Sequence, residues 1–198
     1  MKKLLYLLLI VFVIGLAIYG WNYKEQKEYE KKYYITNEKS SIQYNLKLWL
    51  NRDGSMTLDP KVFEVEKIAD TSSYIVLFEL EDNQLGVAQL VEGKNNKLRI
   101  KEAGYGGFSQ YRYEDLKTNK GRYFFVMGEN PELQIDHIEV LVDYTKSYSY
   151  LIDVSKDEFF FHYKKIPEDL DQRTQILYFD KNNKQFTDDE LRILFAEQ

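Results

Sequence analysis

Few side chains in this sequence have the types and spacing that enzyme chemistry requires. The chain contains no cysteine and two histidines, His137 and His162. The absence of cysteine excludes thiol catalysis, thiolate metal sites and disulfides. His137 lies in an alternating stretch beside Glu139, and such a pair could act as a general base or bind a metal. Because no third residue is suitably spaced from either histidine, the sequence predicts no catalytic residue, no metal site and no cofactor.

Carboxylates are plentiful but follow no catalytic motif. The segment Asp180-Lys-Asn-Asn-Lys-Gln resembles the start of a calcium loop, yet Gln185 and Leu191 stand where an EF-hand has glycine and glutamate. The glycines between residues 104 and 107 lack the following lysine and the strand–helix setting of a phosphate loop. A pair of acidic side chains could still act in glycoside hydrolysis, and the sequence alone does not locate such a pair.

Tyrosine is the residue type in this chain most suited to binding, and there are 17 of them. Aromatic rings with a polar end form contact surfaces for proteins and sugars. The alternative is that tyrosine occupies exposed strand positions because of its β-propensity. The candidate binding residues form two groups near predicted turns: Tyr105, Tyr111 and Tyr113, and Tyr144, Tyr148 and Tyr150.

The first 21 residues differ in character from the rest of the chain. After Lys2 and Lys3, the segment from Leu4 to Gly20 contains no charged side chain, and Trp21 follows it. A helix of this length spans about 25 Å, at the short end of what a bilayer requires. The pattern predicts a transmembrane anchor over residues 1–21 that contacts the lipid bilayer. A cleaved signal peptide is the alternative, but small residues are poorly placed for cleavage.

Residues 22–36 form a charged segment that we expect to continue the helix as a stalk. Lys24 and Glu28, and Glu28 and Lys32, are opposite charges at helical i,i+4 spacing. A disordered tether is the alternative. Lysines flank the apolar run on both sides, so charge does not decide the orientation. Because one long domain follows a signal-like start, we expect the amino terminus in the cytoplasm and the domain outside the cell membrane.

Residues 37–198 have the size of one domain, and their charge limits the classes of partner. This part carries 21 lysines and arginines against 29 acidic residues. The acidic balance argues against a nucleic-acid partner and against close docking on anionic lipid. Residues 42–50 alternate apolar and polar types, which predicts a strand. Further apolar runs between turn signals predict strands at 61–68, 74–81, 85–91, 98–101, 111–116, 123–127, 133–143, 148–154, 159–165 and 173–179.

The end of the chain has a helix signal. Thr187 and Glu190 have the spacing of a capping box, which predicts a short helix from Asp188 to Ala196. With about ten short strands before it, the chain is predicted to be mainly β, an antiparallel sandwich or curled sheet with a short C-terminal helix.

Two turns near the end of the domain suggest a family. Gly128-Glu-Asn-Pro131 precedes a long strand, and Asp180-Lys-Asn-Asn183 forms a hairpin-like turn. With these motifs the chain resembles the extracytoplasmic β-domains of small, uncharacterised single-pass membrane proteins of Bacillus-like Firmicutes. Asn183 stands where those proteins have glycine. The resemblance implies an immunoglobulin-like C-terminal half and a cell-surface location, and it implies no activity.

Together these patterns predict a membrane-anchored extracytoplasmic binding protein whose partner is another envelope protein. The alternative is a cell-wall glycan-binding protein or glycan hydrolase, and a third possibility is a structural accessory subunit. A sugar site should have a groove lined by several of the six tyrosines with two facing carboxylates. A protein-binding module should instead offer a flat surface or an open strand edge.

Overall fold

The computed structural model describes residues 2–54, 57–81, 84–106, 111–143, 148–170 and 174–196, without the side chains of residues 2–11, 111, 143 and 196. Within these ranges the chain forms three α-helices and ten strands, so the mainly β prediction is confirmed. The elements are α1 (Lys2–Lys32), α2 (Lys39–Leu50), β1 (Lys61–Lys67), β2 (Ser73–Glu79), β3 (Leu85–Glu92), β4 (Leu98–Tyr105), β5 (Tyr111–Thr118), β6 (Gly121–Glu129), β7 (His137–Asp143), β8 (Tyr148–Asp153), β9 (Phe159–Ile166), β10 (Gln175–Phe179) and α3 (Asp188–Ala196).

Helix α1 runs without a break from the predicted anchor into the predicted stalk and ends at Lys32, before Ile35 pairs with Leu98 as a β-bridge. Its described apolar side chains point outward in all directions, and those of Phe12, Ile14 and Ile18 are 66%, 53% and 57% exposed. Within the described side chains, no helix is both long and apolar enough to cross a membrane.

The prediction of a strand at residues 42–50 is wrong, because this segment belongs to α2. Ile42 and Leu46 are fully buried, and their spacing of four residues matches one face of a helix. Tyr44 and Leu48 would share the buried face of a strand, but both are more than half exposed. The segment satisfies the strand and helix periods together, and packing against a sheet decides in favour of the helix.

The ten strands form three antiparallel sheets. The first contains β1-β2-β3-β4 and is called here the four-stranded sheet. The central sheet contains β5-β6-β9, and the C-terminal sheet contains β10-β7-β8. One core cluster joins α2 to the four-stranded sheet, a second joins that sheet to the central sheet, and a third joins the central sheet to the C-terminal sheet and α3. The domain is therefore a stack of four layers.

Strand β6 lies in the middle of this stack and is buried on both faces. Phe125 and Met127 face the four-stranded sheet, whereas Phe124 and Val126 face the C-terminal sheet. Alternate side chains of a strand point to opposite faces, so a continuous apolar run is what a strand between two sheets requires.

The predicted strand positions after residue 60 are confirmed, with two local differences. The segment predicted to be strand from residue 133 first forms a 3₁₀ turn at Pro131–Leu133, and β7 begins only at His137. Strand β4 continues to Tyr105, four residues beyond its predicted end at residue 101. Pairing with β3 holds this extension, because Gly104 and Tyr105 lie opposite Val87 and Gly86.

The turn that contains Asn183 and the capping box that follows it have the geometry that their residues predict. Asn183 has a positive φ of 62°, a conformation that asparagine tolerates better than most residues. In the capping box, the Thr187 N–H donates to Glu190 Oε2 at 2.8 Å and the Glu190 N–H donates to Thr187 Oγ1 at 3.3 Å. The predicted start of α3 is therefore confirmed.

Two buried polar side chains tie the central sheet to the C-terminal sheet. Asn130 is fully buried, and its Nδ2 donates to the carbonyls of Ile135 and Val154 while its Oδ1 accepts the Ile135 N–H. Arg122 forms an ion pair with Asp115. Its Nη1 also donates to the carbonyls of Glu168 and Leu170, at 3.0 and 2.9 Å. These bonds fix the loops that pass between the two sheets.

A different polar group joins the four-stranded sheet to the central sheet. The side chain of Gln89 is buried on β3, and its Nε2 donates to Ser73 Oγ and to the Lys117 carbonyl. Lys101 Nζ donates to Gln89 Oε1 at 2.7 Å. Gln89 therefore bridges β2, β4 and the end of β5.

Candidate functional site

The structure places the first group of candidate tyrosines in two different sheets. Tyr105 lies at the end of β4 and Tyr113 lies on β5, and both rings are partly exposed. The Tyr113 ring is 5.9 Å from the ring of Phe124. The side chain of Tyr111 and all of Tyr144 lie outside the described residues.

Tyr148 and Tyr150 do come together, but toward the inside of the sandwich. Their rings meet edge to face with centroids 6.4 Å apart, and both pack against the core between the central and C-terminal sheets. Lys164 Nζ lies 4.5 Å from the centre of the Tyr150 ring. Burial raises the pKa of the Tyr150 hydroxyl, which makes no hydrogen bond to a described residue.

Each histidine lies beside an aspartate. His137 stacks on Phe179 with ring centroids 4.9 Å apart, and its Nδ1 lies 2.9 Å from Asp136 Oδ2. His162 Nε2 is 3.6 Å from Asp157 Oδ2. Across the described part of the chain, no three His, Asp or Glu side chains converge as a metal site.

An acidic cleft of about 540 Å³ lies where β6 ends. Its lining includes Glu129, Glu132 and Glu158 together with the ring of Phe159. Burial raises the pKa of Glu129, and the nearby Glu79 carboxylate raises it further. Of the candidate tyrosines whose side chains the structure describes, none lines this cleft or the described clefts beside α1 and α2.

A basic cleft of about 460 Å³ lies where α1, α2 and β4 meet. Trp49, Tyr34 and Leu48 contribute apolar surface, and the described lining contains no acidic residue. This composition contrasts with the acidic balance of the whole chain. The cations that line the basic cleft are Lys31, Lys32, Arg52, Arg99 and Lys101.

Aromatic rings hold the two arginines of the basic cleft. The Arg52 guanidinium lies 4.5 Å from the centre of the Trp49 ring, and its Nη1 donates to the Trp49 carbonyl. The Arg99 guanidinium lies 5.4 Å from the Tyr33 ring, and its Nε donates to the Tyr33 hydroxyl at 3.0 Å. Among the described residues, each of these hydrogen bonds uses one guanidinium nitrogen, and the other N–H groups of the fork are the ones that would bind a ligand.

The end of α1 is fixed against the hairpin between β3 and β4, which sets the shape of the basic cleft. Tyr29 accepts a hydrogen bond from the Lys94 N–H, and Asn95 Nδ2 donates to the Tyr33 carbonyl at 3.0 Å. Ile35 then pairs with Leu98 as an isolated β-bridge.

The sequence analysis missed the basic cleft because its residues come from three separate parts of the chain. Lys31 and Lys32 were assigned to a solvated stalk, and Trp49 to a strand. One local signal was available: Trp49 and Arg52 are three residues apart, which places them on the same side of a helix.

Comparisons with protein-family models, with curated proteins and with solved structures find no match to this chain.

Proposed function

We propose that this protein is a membrane-anchored extracytoplasmic binding protein whose partner is another envelope protein. The first half of α1 supports the anchoring, because its described apolar side chains face outward in all directions. A helix that is apolar on every side needs an apolar surrounding. Residues 4–20 continue this character toward the amino terminus in the sequence. The domain that follows would be held at the outer surface by the stalk.

The immunoglobulin-like character of the C-terminal half is part of the same proposal. Immunoglobulin-type sandwiches have strands A, B and E in one sheet, and F, C and C′ in the other. The order β5-β6-β9 corresponds to A-B-E, and the order β10-β7-β8 corresponds to F-C-C′. A counterpart of strand G is limited to a single bridge between Phe179 and Gln185, after which the chain enters α3.

The open edge of β10 is the observation that carries the binding proposal. The Tyr178 carbonyl accepts the Phe186 N–H on the side away from β7. Backbone groups of a strand alternate in direction, so the N–H and C=O of Ile176 also point to that side. No described backbone group pairs with them there. An extended segment of a partner can add to such an edge as a further strand.

Photo-crosslinking in intact cells tests this proposal with a built-in control. A photoreactive residue is placed at Gln175, which is exposed on β10, or at Leu151, which is 68% exposed on the opposite edge strand β8. We expect position 175 to give one discrete adduct with a membrane protein and position 151 to give none. Equal labelling from both positions, or no adduct from either, would contradict the edge-binding proposal.

The alternative function, glycan binding, requires acidic side chains beside an aromatic ring, and the acidic cleft provides a place to test it separately. Glu129 and Glu158 lie there with the exposed edge of an aromatic ring, Phe159. If the protein binds cell-wall glycan, the full chain should be retained on insoluble wall, and Glu158→Gln should release it. Retention of this kind, without a membrane-protein adduct, would favour the glycan function over the one proposed.

Protease treatment of wall-free cells tests the location. We expect added protease to cleave the domain in intact cells. Cleavage that requires lysis would place the domain in the cytoplasm and would overturn the envelope function.

A further inference from the structure

We propose that the basic cleft is a binding site for the phosphate groups of a soluble or polymer-borne anion. Five cations line it and no acidic residue shares the described lining. A single carboxylate would leave most of this positive charge unmatched. A ligand carrying several phosphate charges matches it better, because each phosphate group brings more charge and more acceptor oxygens.

The two arginines have the arrangement expected of phosphate ligands. Arg52 and Arg99 come from different parts of the fold, one just after the end of α2 and one from β4. Each guanidinium lies over an aromatic ring and donates a hydrogen bond beside it, which restricts its movement. A guanidinium held in one plane loses less conformational freedom when its fork binds an oxyanion.

The lysines differ in how far they are committed to other contacts. Lys101 Nζ bonds to Gln89 and to the Lys117 carbonyl and lies 3.3 Å from Glu102 Oε1, so it is the most committed of the lysines and contributes charge from a fixed position. Lys31 pairs with Glu28 at 3.3 Å on the exposed face of α1, and such a pair exchanges easily for a better acceptor. Lys32 is exposed beside it. The exposed lysines can therefore turn toward a ligand that the arginines hold.

The distance of the basic cleft from the membrane surface distinguishes a soluble ligand from a lipid headgroup. This choice of source, though not the site itself, rests on the proposed anchor. Trp21 would lie at the membrane interface, and Lys32 is about 16 Å further along α1. The headgroup layer is only about 6 Å deep on each side of the bilayer, and a tilt of about 20° changes the height little. Lipid phosphates in the anchoring bilayer would therefore not reach the cleft.

Calorimetric titration of the full chain in uncharged detergent with inorganic tripolyphosphate tests the site. We expect saturable binding that added salt weakens. Arg52→Gln should weaken the binding about tenfold, the effect expected when one charge-assisted hydrogen bond is lost. Arg99→Lys should also weaken it several-fold, because lysine keeps the charge and loses the fork. Thermal unfolding of both variants shows whether the fold is kept.

Matched controls separate a built site from general attraction. Lys120→Gln and Lys181→Gln each remove one exposed positive charge outside the basic cleft, and we expect both to bind as the unchanged chain does. An equal loss in these controls, or no binding by the unchanged chain, would overturn the site. Binding only to vesicles of equal parts phosphatidylglycerol and phosphatidylcholine would overturn the choice of a non-lipid phosphate. None of these variants changes a residue of β10, so the outcome of the titration and the outcome of the crosslinking are independent.

Discussion

The central sheet is joined to its two neighbours in different ways. Toward the C-terminal sheet the joint contains more aliphatic than aromatic side chains, and we call it the aliphatic joint; α3 covers it, and the fully buried Asn130 anchors it. Toward the four-stranded sheet the joint is rich in aromatic rings that reach its rim, such as the edge-to-face pair Phe63 and Phe159 at 5.1 Å. This second joint, which we call the aromatic joint, thus has half-buried rings and acidic side chains at its rim, near water.

Acidic side chains are found at the rim of the aromatic joint. Glu66 on β1 hydrogen-bonds the hydroxyl of Tyr163 on β9, yet burial is the larger influence and raises the pKa of Glu66. At the other end of this joint, burial and the neighbouring Glu79 raise the pKa of Glu129. We therefore expect the aliphatic joint to contribute most to the free energy of unfolding, and the aromatic joint to make that free energy depend on pH.

Replacing the buried Asn130 should have the largest effect on stability. Asn130→Ala leaves two carbonyls and one N–H without their partner in a site closed to water. We expect the free energy of unfolding to fall by about 4 kcal/mol, since each buried unsatisfied group costs about 1–3 kcal/mol. Urea unfolding of the full chain in uncharged detergent measures this loss.

An exposed asparagine provides the control for that variant. Asn119 Oδ1 accepts the Ser72 N–H at 3.0 Å between two surface turns. Asn119→Ala should cost less than about 1 kcal/mol, because water can replace the lost bond. Equal losses in the two variants would show that burial is not what makes Asn130 important.

The second anchor of the aliphatic joint should have a smaller effect. Arg122→Met removes the partner of Asp115 and the donor to the Glu168 and Leu170 carbonyls. We expect a loss of about 2 kcal/mol, below the usual cost of breaking a buried pair, because Asp115 keeps some contact with water. The same urea experiment applies.

Arg112 is the matched arginine on the neighbouring strand. Its Nη2 lies 2.7 Å from Glu114 Oε1, and the glutamate is more exposed than Asp115. Arg112→Met should cost less than about 1 kcal/mol. A larger loss from Arg112→Met than from Arg122→Met would contradict the assignment of Arg122 as an anchor.

The polar bridge of the aromatic joint should contribute less again. Gln89→Leu removes the bonds to Ser73 and Lys117, but Lys101 Nζ still reaches the Lys117 carbonyl at 3.2 Å. We expect a loss of about 1 kcal/mol, measured by urea unfolding. A loss as large as that of Asn130→Ala would mean that the two joints do not differ as proposed.

The smallest effect concerns pH. A carboxyl whose pKa is raised by folding favours the folded state below its unfolded pKa, and this contribution is lost as the pH rises through the folded pKa. Stability should therefore decline as the pH rises through the acidic range in which Glu66 and Glu129 ionise. Replacing both with glutamine should remove this decline and raise stability at neutral pH by less than about 1 kcal/mol, because solvent screens half-exposed groups.

Thermal unfolding measured at several pH values checks this prediction. Glu132→Gln, an exposed change in the same acidic cleft as Glu129, is the control and should leave the pH profile as it is. A flat profile for the unchanged chain would contradict the proposed role of the aromatic joint.

The strands of the sandwich could be predicted because their local signals agree with their tertiary setting. Two patterns indicate a strand and nothing else: the buried run from Tyr123 to Met127, and the alternation of Ile138, Val140 and Val142. Helix α2 could not be predicted in this way. Its apolar residues satisfy both periods, and contact with the four-stranded sheet, which brings together residues distant in sequence, decides between them.

The candidate sites show a similar limit. The tyrosine groups were chosen for closeness in sequence, and Tyr105 and Tyr113 lie in different sheets although only eight positions separate them. The basic cleft instead joins residues from α1, α2 and β4. No pattern within one segment indicates such a site, since the closure of the fold brings its parts together.

The packing at Gly93 has a mechanical consequence. A side chain at this position would overlap the Tyr29 hydroxyl and the ring of Tyr33. The backbone of the β3–β4 hairpin therefore packs directly against the tyrosine side chains of α1. Such close packing makes the connection between helix and hairpin rigid. A twist applied to the first turns of α1 would be transmitted to the four-stranded sheet as torque. The orientation of the domain would therefore follow the orientation of the helix.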